Sequence, residues 1–83
     1  MYRPEEIMRG MKRLMLRLPA LRPRLQELAF EDGDARLLCG AFEDAATALE
    51  ALRKGRASPR IIQEYEEVCA EIERDIARLC NDS

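Results

Sequence analysis

The stretch that decides the fold is DARLLCGAFEDAATALEALRK, residues 34–54, which lies between Gly33 and Gly55. On an α-helix that advances 100° per residue, its larger apolar residues fall in one stripe, with alanines on both sides. So wide an apolar arc exceeds what one packed helix covers. We therefore expect the central helix of a small bundle, with two neighbours. The stripe consists of Leu38, Phe42, Ala45, Leu49 and Leu52, extended by Leu37, Ala41, Ala48 and Ala46.

The ends of this central helix carry their own signals. Asp32 or Asp34 is expected to cap the free N–H groups, and Gly55 suits a left-handed position after the last turn. Gly40 is predicted to project away from the apolar stripe, where glycine costs about 1 kcal/mol relative to alanine. Two explanations stay open for Gly40, tolerance on an exposed face and close approach of a second chain.

Composition points to an all-α protein. The chain has 83 residues, 47% of them hydrophobic, yet only two Phe, two Tyr and no Trp. A core of Leu, Ile, Ala and Met in a charge-rich chain is typical of helical bundles, and no alternating β-branched run predicts a strand. We expect one domain, residues 1–83. A chain of this length buries a modest share of its surface, which favours self-association.

Three further helices are predicted around the central one. Pro4 suits the first turn of a helix over residues 4–18, which Pro19 ends or kinks. A short connecting helix is expected over residues 23–30. Ser58 and Pro59 then give a cap and a helix start, with the last helix running over residues 58–80. Its apolar stripe contains Ile62, Tyr65, Cys69, Ile72, Ile76 and Leu79, flanked by Ile61 and Val68.

These elements predict a small three-helix bundle with a short connecting helix. The link between the central and last helices is only a few residues long, so we expect the two to pack as a C-terminal antiparallel αα-hairpin.

The charges are distributed unevenly. Residues 1–24 carry seven basic and two acidic residues, a net +5, whereas the rest of the chain carries seven basic and fourteen acidic residues, a net −7. This polarity is consistent with an anionic partner for the N-terminal part, or with basic and acidic elements meeting within the fold or between subunits.

The first helix carries a candidate basic interaction face. Three interpretations stay open: a solvated outer face, a contact with a protein or with the acidic flank of a sister subunit, and a contact with nucleic acid or an anionic membrane surface. The acidic total and the lack of aromatics among the arginines disfavour nucleic acid. The face consists of Arg9, Lys12, Arg13 and Arg17.

The last helix carries a candidate acidic interaction face. We interpret it first as a solvated helix face, and otherwise as the contact for a basic partner, for example the arginine row of another copy. The face consists of Glu64, Glu67, Glu71 and Asp75.

The side-chain inventory argues against an enzyme. With no His, two Ser and one Thr, no nucleophile–base pair is available. The three cysteines are an odd number without CxxC spacing, which argues against a zinc site and a disulfide framework. We predict no catalytic, cofactor-binding or metal-binding residues. Charges throughout the first 17 residues argue against a signal peptide, and no apolar run approaches a membrane span, so we expect a cytoplasmic protein.

Residues 37–76 also contain a distinctive pattern of apolar and charged residues. It runs through Leu38-Cys39, Phe42, Ala45, Ala48-Leu49-Glu50, Arg53, Ser58-Pro59, Glu64-Tyr65 and Glu71-Ile72-Glu73. In this pattern the chain resembles small bacterial all-helical proteins that contain an αα-hairpin and have no assigned activity. The resemblance implies an αα-hairpin and assigns no functional residue to this chain.

The functional hypothesis that the sequence favours is a non-enzymatic helical protein–protein interaction module. It would self-associate through helix faces, as a homodimer, or bind another protein. The alternative is an anion-binding regulator that uses the basic first helix on nucleic acid or on an anionic membrane surface.

Overall fold

The protein is an all-α bundle, as predicted. A computed structural model describes residues 1–82; Ser83, the last residue of the predicted domain, lies outside them. Within these residues the chain forms four α-helices and no strand. The helices are α1 (Pro4–Arg17), α2 (Arg22–Glu31), α3 (Gly33–Lys54) and α4 (Pro59–Asp82), and a single 3₁₀ turn, Pro19–Leu21, joins α1 to α2.

Helix starts follow the local signals in the sequence. The carboxylate of Asp32 accepts hydrogen bonds from the backbone N–H of Asp34 (2.8 Å) and of Ala35 (3.3 Å), so it caps α3. The Ser58 hydroxyl oxygen accepts from the N–H of Ile61 at 3.4 Å and caps α4. Gly55 differs from the prediction, because its backbone is extended (φ −88°, ψ −164°) rather than left-handed. Its N–H still donates to a carbonyl of the last turn of α3.

The central position of α3 is confirmed, since it contacts each of the other three helices. Its buried residues form a continuous core with those of α1, α2 and α4. Leu14, Leu25, Cys39 and Ile76 lie deepest. Leu37, predicted to extend the apolar stripe of α3, is instead exposed.

Two glycines allow α1 and the N-terminal residues to lie against the backbone of α3. A Cβ added to Gly10 would stand 1.7 Å from the carbonyl oxygen of Cys39, so only glycine fits where α1 crosses α3. A Cβ added to Gly40 would stand 2.2 Å from the ring of Tyr2. Of the two explanations for Gly40, tolerance on an exposed face is therefore wrong. Gly40 is buried, and the close approach comes from Tyr2 of the same chain.

The α3–α4 hairpin is covered unevenly by the other helices. Cys69, Ile72, Ile76 and Cys80, from the middle of α4 to its end, are buried. No residue of α4 before Cys69 is buried, and contacts of α4 with α1 and α2 are few. As a result, part of the apolar stripe of α4 remains at the surface.

Candidate interaction surfaces

The structure divides the predicted basic face of α1 into two pairs with different surroundings. Arg13 Nε donates to Glu43 Oε1 at 2.6 Å, and Arg13 Nη1 donates to Glu50; both carboxylates belong to α3. Arg17 Nε donates to Glu73 Oε1 of α4 at 2.8 Å. These two arginines therefore join α1 to the hairpin, and their donor groups are engaged by carboxylates of the fold.

The contact between Arg13 and Glu43 neutralises a buried charge. Glu43 is only 5% exposed and lies on the part of α3 that faces α1. Burial lowers the pKa of Arg13, but its hydrogen bonds to Glu50 and Glu43 raise it more, so the pKa rises and the guanidinium stays charged. Since a buried carboxylate without a partner is strongly destabilising, this ion pair fixes how α1 sits on α3.

Arg9 and Lys12 remain exposed on the outer side of α1. Among residues 1–82, neither forms a salt bridge. Both border a shallow hollow that also includes Pro4, Glu5 and Met8. The basic face available to a partner is thus smaller than the sequence predicts.

A second hollow, of about 210 Å³, lies between α1 and the end of α2. Met8 is half exposed beside it, and Phe30 is 86% exposed. Both are among its lining residues, which are mostly apolar: Pro4, Ile7, Met8, Met11, Ala29, Phe30 and Arg36. We call Met8, Met11 and Phe30, together with the adjacent Arg9 and Lys12, the α1–α2 patch. The sequence does not predict this patch, because residues of both α1 and α2 form it.

The predicted acidic face of α4 lies at the surface, with Asp75 half-buried. Glu64 faces Arg60 at 3.8 Å, and Asp75 faces Arg78 at 3.3 Å, both on the same helix. Glu67 and Glu71 form no salt bridge within the described part of the chain.

Beside this acidic face, α4 exposes a row of apolar side chains. Ile61, Tyr65 and Val68 are 42%, 37% and 43% exposed. Their i, i+4, i+7 spacing places them on one side of the helix. The apolar spacing predicts Tyr65 in the buried stripe with Ile61 and Val68 flanking it, but Tyr65 is instead exposed. We call these three residues the α4 row.

A third concavity lies between the end of α1, the second half of α3, and α4. It measures about 340 Å³, with Phe42, Ala46 and Leu49 at its base and Leu16 at its edge. The guanidinium groups at its rim belong to Arg13, Arg17 and Arg53, and all three are engaged, Arg53 by Glu66 at 2.7 Å. A charged ligand would therefore have to displace an existing ion pair.

The three cysteines are free and buried. Burial, with a smaller contribution from Cys80, raises the pKa of Cys39 to about 11. Burial also raises the pKa of Cys80. It raises the pKa of Cys69 too, where the negative charge of Glu73 raises it further and nearby arginines lower it. Thiols in such surroundings stay protonated at neutral pH and are weak nucleophiles.

Within the described residues, no cluster of three or more His, Cys, Asp or Glu side chains is placed to hold a metal ion. The same part of the chain contains no helix long and apolar enough to cross a membrane.

Comparisons with known proteins gave no matching family model, curated protein or solved structure. The resemblance to bacterial αα-hairpin proteins therefore stays a prediction, and the surfaces alone bear on function.

Proposed function

We propose that the protein is a non-enzymatic helical interaction module that self-associates through helix faces, as a homodimer. The observation that carries the proposal is the α4 row. It consists of three large apolar side chains at helical spacing that remain 37% to 43% exposed.

Two features of the α4 row support this use. Apolar side chains at i, i+4 and i+7 are the arrangement by which one helix recognises another in a groove or bundle. The row also continues the buried stripe of α4, so a partner would extend the existing core. Contiguous exposed apolar surface rimmed by polar residues commonly marks an interaction site.

The non-enzymatic part of the proposal is supported by the side-chain inventory. The chain has no His, and its three thiols all have raised pKa values. The carboxylates of Glu43 and Glu73 are held by arginines that join the helices. An ion pair that holds two elements together supports a structural role more directly than a catalytic one.

The test is the mass in solution, measured by light scattering from low to high micromolar concentration. We expect the wild-type chain to reach the mass of a dimer, and Val68→Glu to remain monomeric because it places a charge in the α4 row. The matched control is Leu37→Glu, since Leu37 is 53% exposed on α3 and lies beside Asp75, Arg78 and Asp82, toward the opposite end of α4 from the row. A wild-type chain that stays monomeric at every concentration contradicts the proposal.

The alternative proposal, an anion-binding regulator, has less support from the structure. Arg13 and Arg17 are engaged by carboxylates, which leaves Arg9 and Lys12 as the free cations of the predicted basic face. Two phosphate contacts would give a salt dependence on duplex DNA with a slope of about −1.8, against about −3.6 for four contacts. Binding with the steeper slope would favour this alternative, since the engaged arginines would then have to be released.

A further inference from the structure

Building on the proposed self-association, we infer which surfaces meet: the α4 row and acidic face of each copy dock on the α1–α2 patch of the other, so a two-fold dimer contains this contact twice. The occupant of the α1–α2 patch is thus another copy of this chain. Three observations lead to this pairing.

The first observation is that the α1–α2 patch is a formed surface. Arg36 Nη1 donates to the carbonyl oxygens of Phe30 (3.1 Å) and Ala29 (3.4 Å), which ties the end of α2 to the first turns of α3. The cap provided by Asp32 fixes the same junction. Phe30 is therefore held at the surface by its backbone, beside a hollow that has room for an inserted apolar side chain.

The second observation is that both surfaces combine apolar and charged groups in the same way. On α1, Lys12 follows the half-exposed Met8 by four residues and so lies next to it on the helix. On α4, Glu64 and Glu71 lie four residues before and three residues after Val68. Docking would bring apolar groups against apolar groups and ammonium or guanidinium groups against carboxylates.

The third observation is that the internal ion pairs leave these charges available. Arg13, Arg17 and Arg53 have carboxylate partners within the fold. Arg9, Lys12 and Glu71 have none among residues 1–82, and the contact of Glu64 with Arg60 is long, at 3.8 Å, and solvent-exposed. An exposed pair of that kind contributes little, so Glu64 is free to exchange its partner.

An anionic membrane is a less suitable occupant of the α1–α2 patch. Glu5 borders it next to Arg9 and Lys12, and Glu31 follows Phe30 directly. Carboxylates at these positions oppose an extended anionic lipid surface, which would cover all of them, whereas a helix can place its few carboxylates opposite Arg9 and Lys12 alone. A second copy offers instead a face that is both apolar and acidic.

The experiment reverses the charge of each surface separately. Variant A carries Arg9→Glu and Lys12→Glu, and variant B carries Glu64→Lys and Glu71→Lys. Light scattering should show that each variant alone has lost self-association, with a dissociation constant raised at least tenfold. A chain that carries all four substitutions should associate like the wild type, and so should an equimolar mixture of A and B. The four-substitution chain keeps the net charge at −2, so its recovery cannot come from overall charge.

A charge-matched control for variant A is Lys54→Glu with Arg56→Glu, which changes two exposed residues at the end of α3 and in the link to α4, outside the α1–α2 patch, the α4 row and the acidic face. This control should associate like the wild type. If variant A dimerises normally while Val68→Glu does not, the pairing is wrong, although self-association through the α4 row stands. A wild-type chain that is monomeric, and sediments with phosphatidylglycerol vesicles unless Arg9 and Lys12 are reversed, overturns both proposals.

Discussion

Replacing Gly10 by alanine tests how α1 sits on α3. The new Cβ would stand 1.7 Å from the carbonyl oxygen of Cys39, and a relaxed C···O contact needs about 3.3 Å, so α1 would have to move by about 1.6 Å. The obstacle is backbone and cannot rotate away. Overpacking of this kind costs about 1–3 kcal/mol and occasionally more, and we expect the upper end because Leu14, one turn further along, is fully buried.

Alanine also recovers about 1 kcal/mol of helix propensity, so the net loss for Gly10→Ala should be about 2 kcal/mol. In a domain of this size that corresponds to a melting temperature lower by roughly 8–16 °C. Urea unfolding followed by circular dichroism measures it. Gly55→Ala is the control: its Cβ would meet the nearest atom at an ordinary 3.5 Å, and its φ of −88° suits any residue. It should lose no stability and could gain up to about 1 kcal/mol. A Gly10→Ala chain as stable as the wild type would refute the crossing of α1 on α3 described here.

Two further predictions concern buried ionisable groups. Glu43→Gln removes the charge that Arg13 meets at 2.6 Å and should lower the free energy of unfolding by about 1–2 kcal/mol. The control is Glu66→Gln, in the exposed pair with Arg53, which should change the free energy of unfolding by less than about 0.5 kcal/mol. Urea unfolding of both variants and the wild type measures the difference. Burial raises the pKa of Cys39 to about 11 from an ordinary 9.0, so its contribution to stability is complete below pH 9 and is lost as pH rises to about 11. The loss is of the order of 2–3 kcal/mol, and Cys39→Ala should flatten this part of the stability–pH curve; parallel curves for the two proteins would contradict the burial of a protonated thiol.

The fold class was predictable because its determinants are local. Pro4, Asp32, Ser58 and Pro59 act within one helical turn, so each start can be recognised without knowledge of the tertiary structure. The apolar stripe of α3 likewise depends only on helical spacing. Gly55 was predicted less well, because an extended conformation after a helix is as accessible to glycine as the left-handed one.

The packing of α1 on α3 was not predicted, because it depends on which residues meet across helices. Gly10 lies in a helix between Arg9 and Met11, where glycine is unfavourable, and that cost was the available signal of a close contact. Glu43 was a second signal, as an acidic residue on a largely apolar part of α3 requires a cation nearby. Taken together, these two residues would have placed α1 against α3 and Arg13 at the contact.

The candidate surfaces show why net charge along the sequence is a poor guide to binding here. The N-terminal +5 was consistent with an anionic partner or with basic and acidic elements that meet within the fold, and Arg13 and Arg17 use their charge in the second way, on carboxylates of α3 and α4. They follow Gly10 by three and seven residues, and so lie on the side of α1 that crosses α3. What the fold leaves available is a small cationic pair, Arg9 and Lys12, next to an apolar hollow. Such a surface fits a partner that brings both an apolar row and carboxylates, and the first half of α4 presents both.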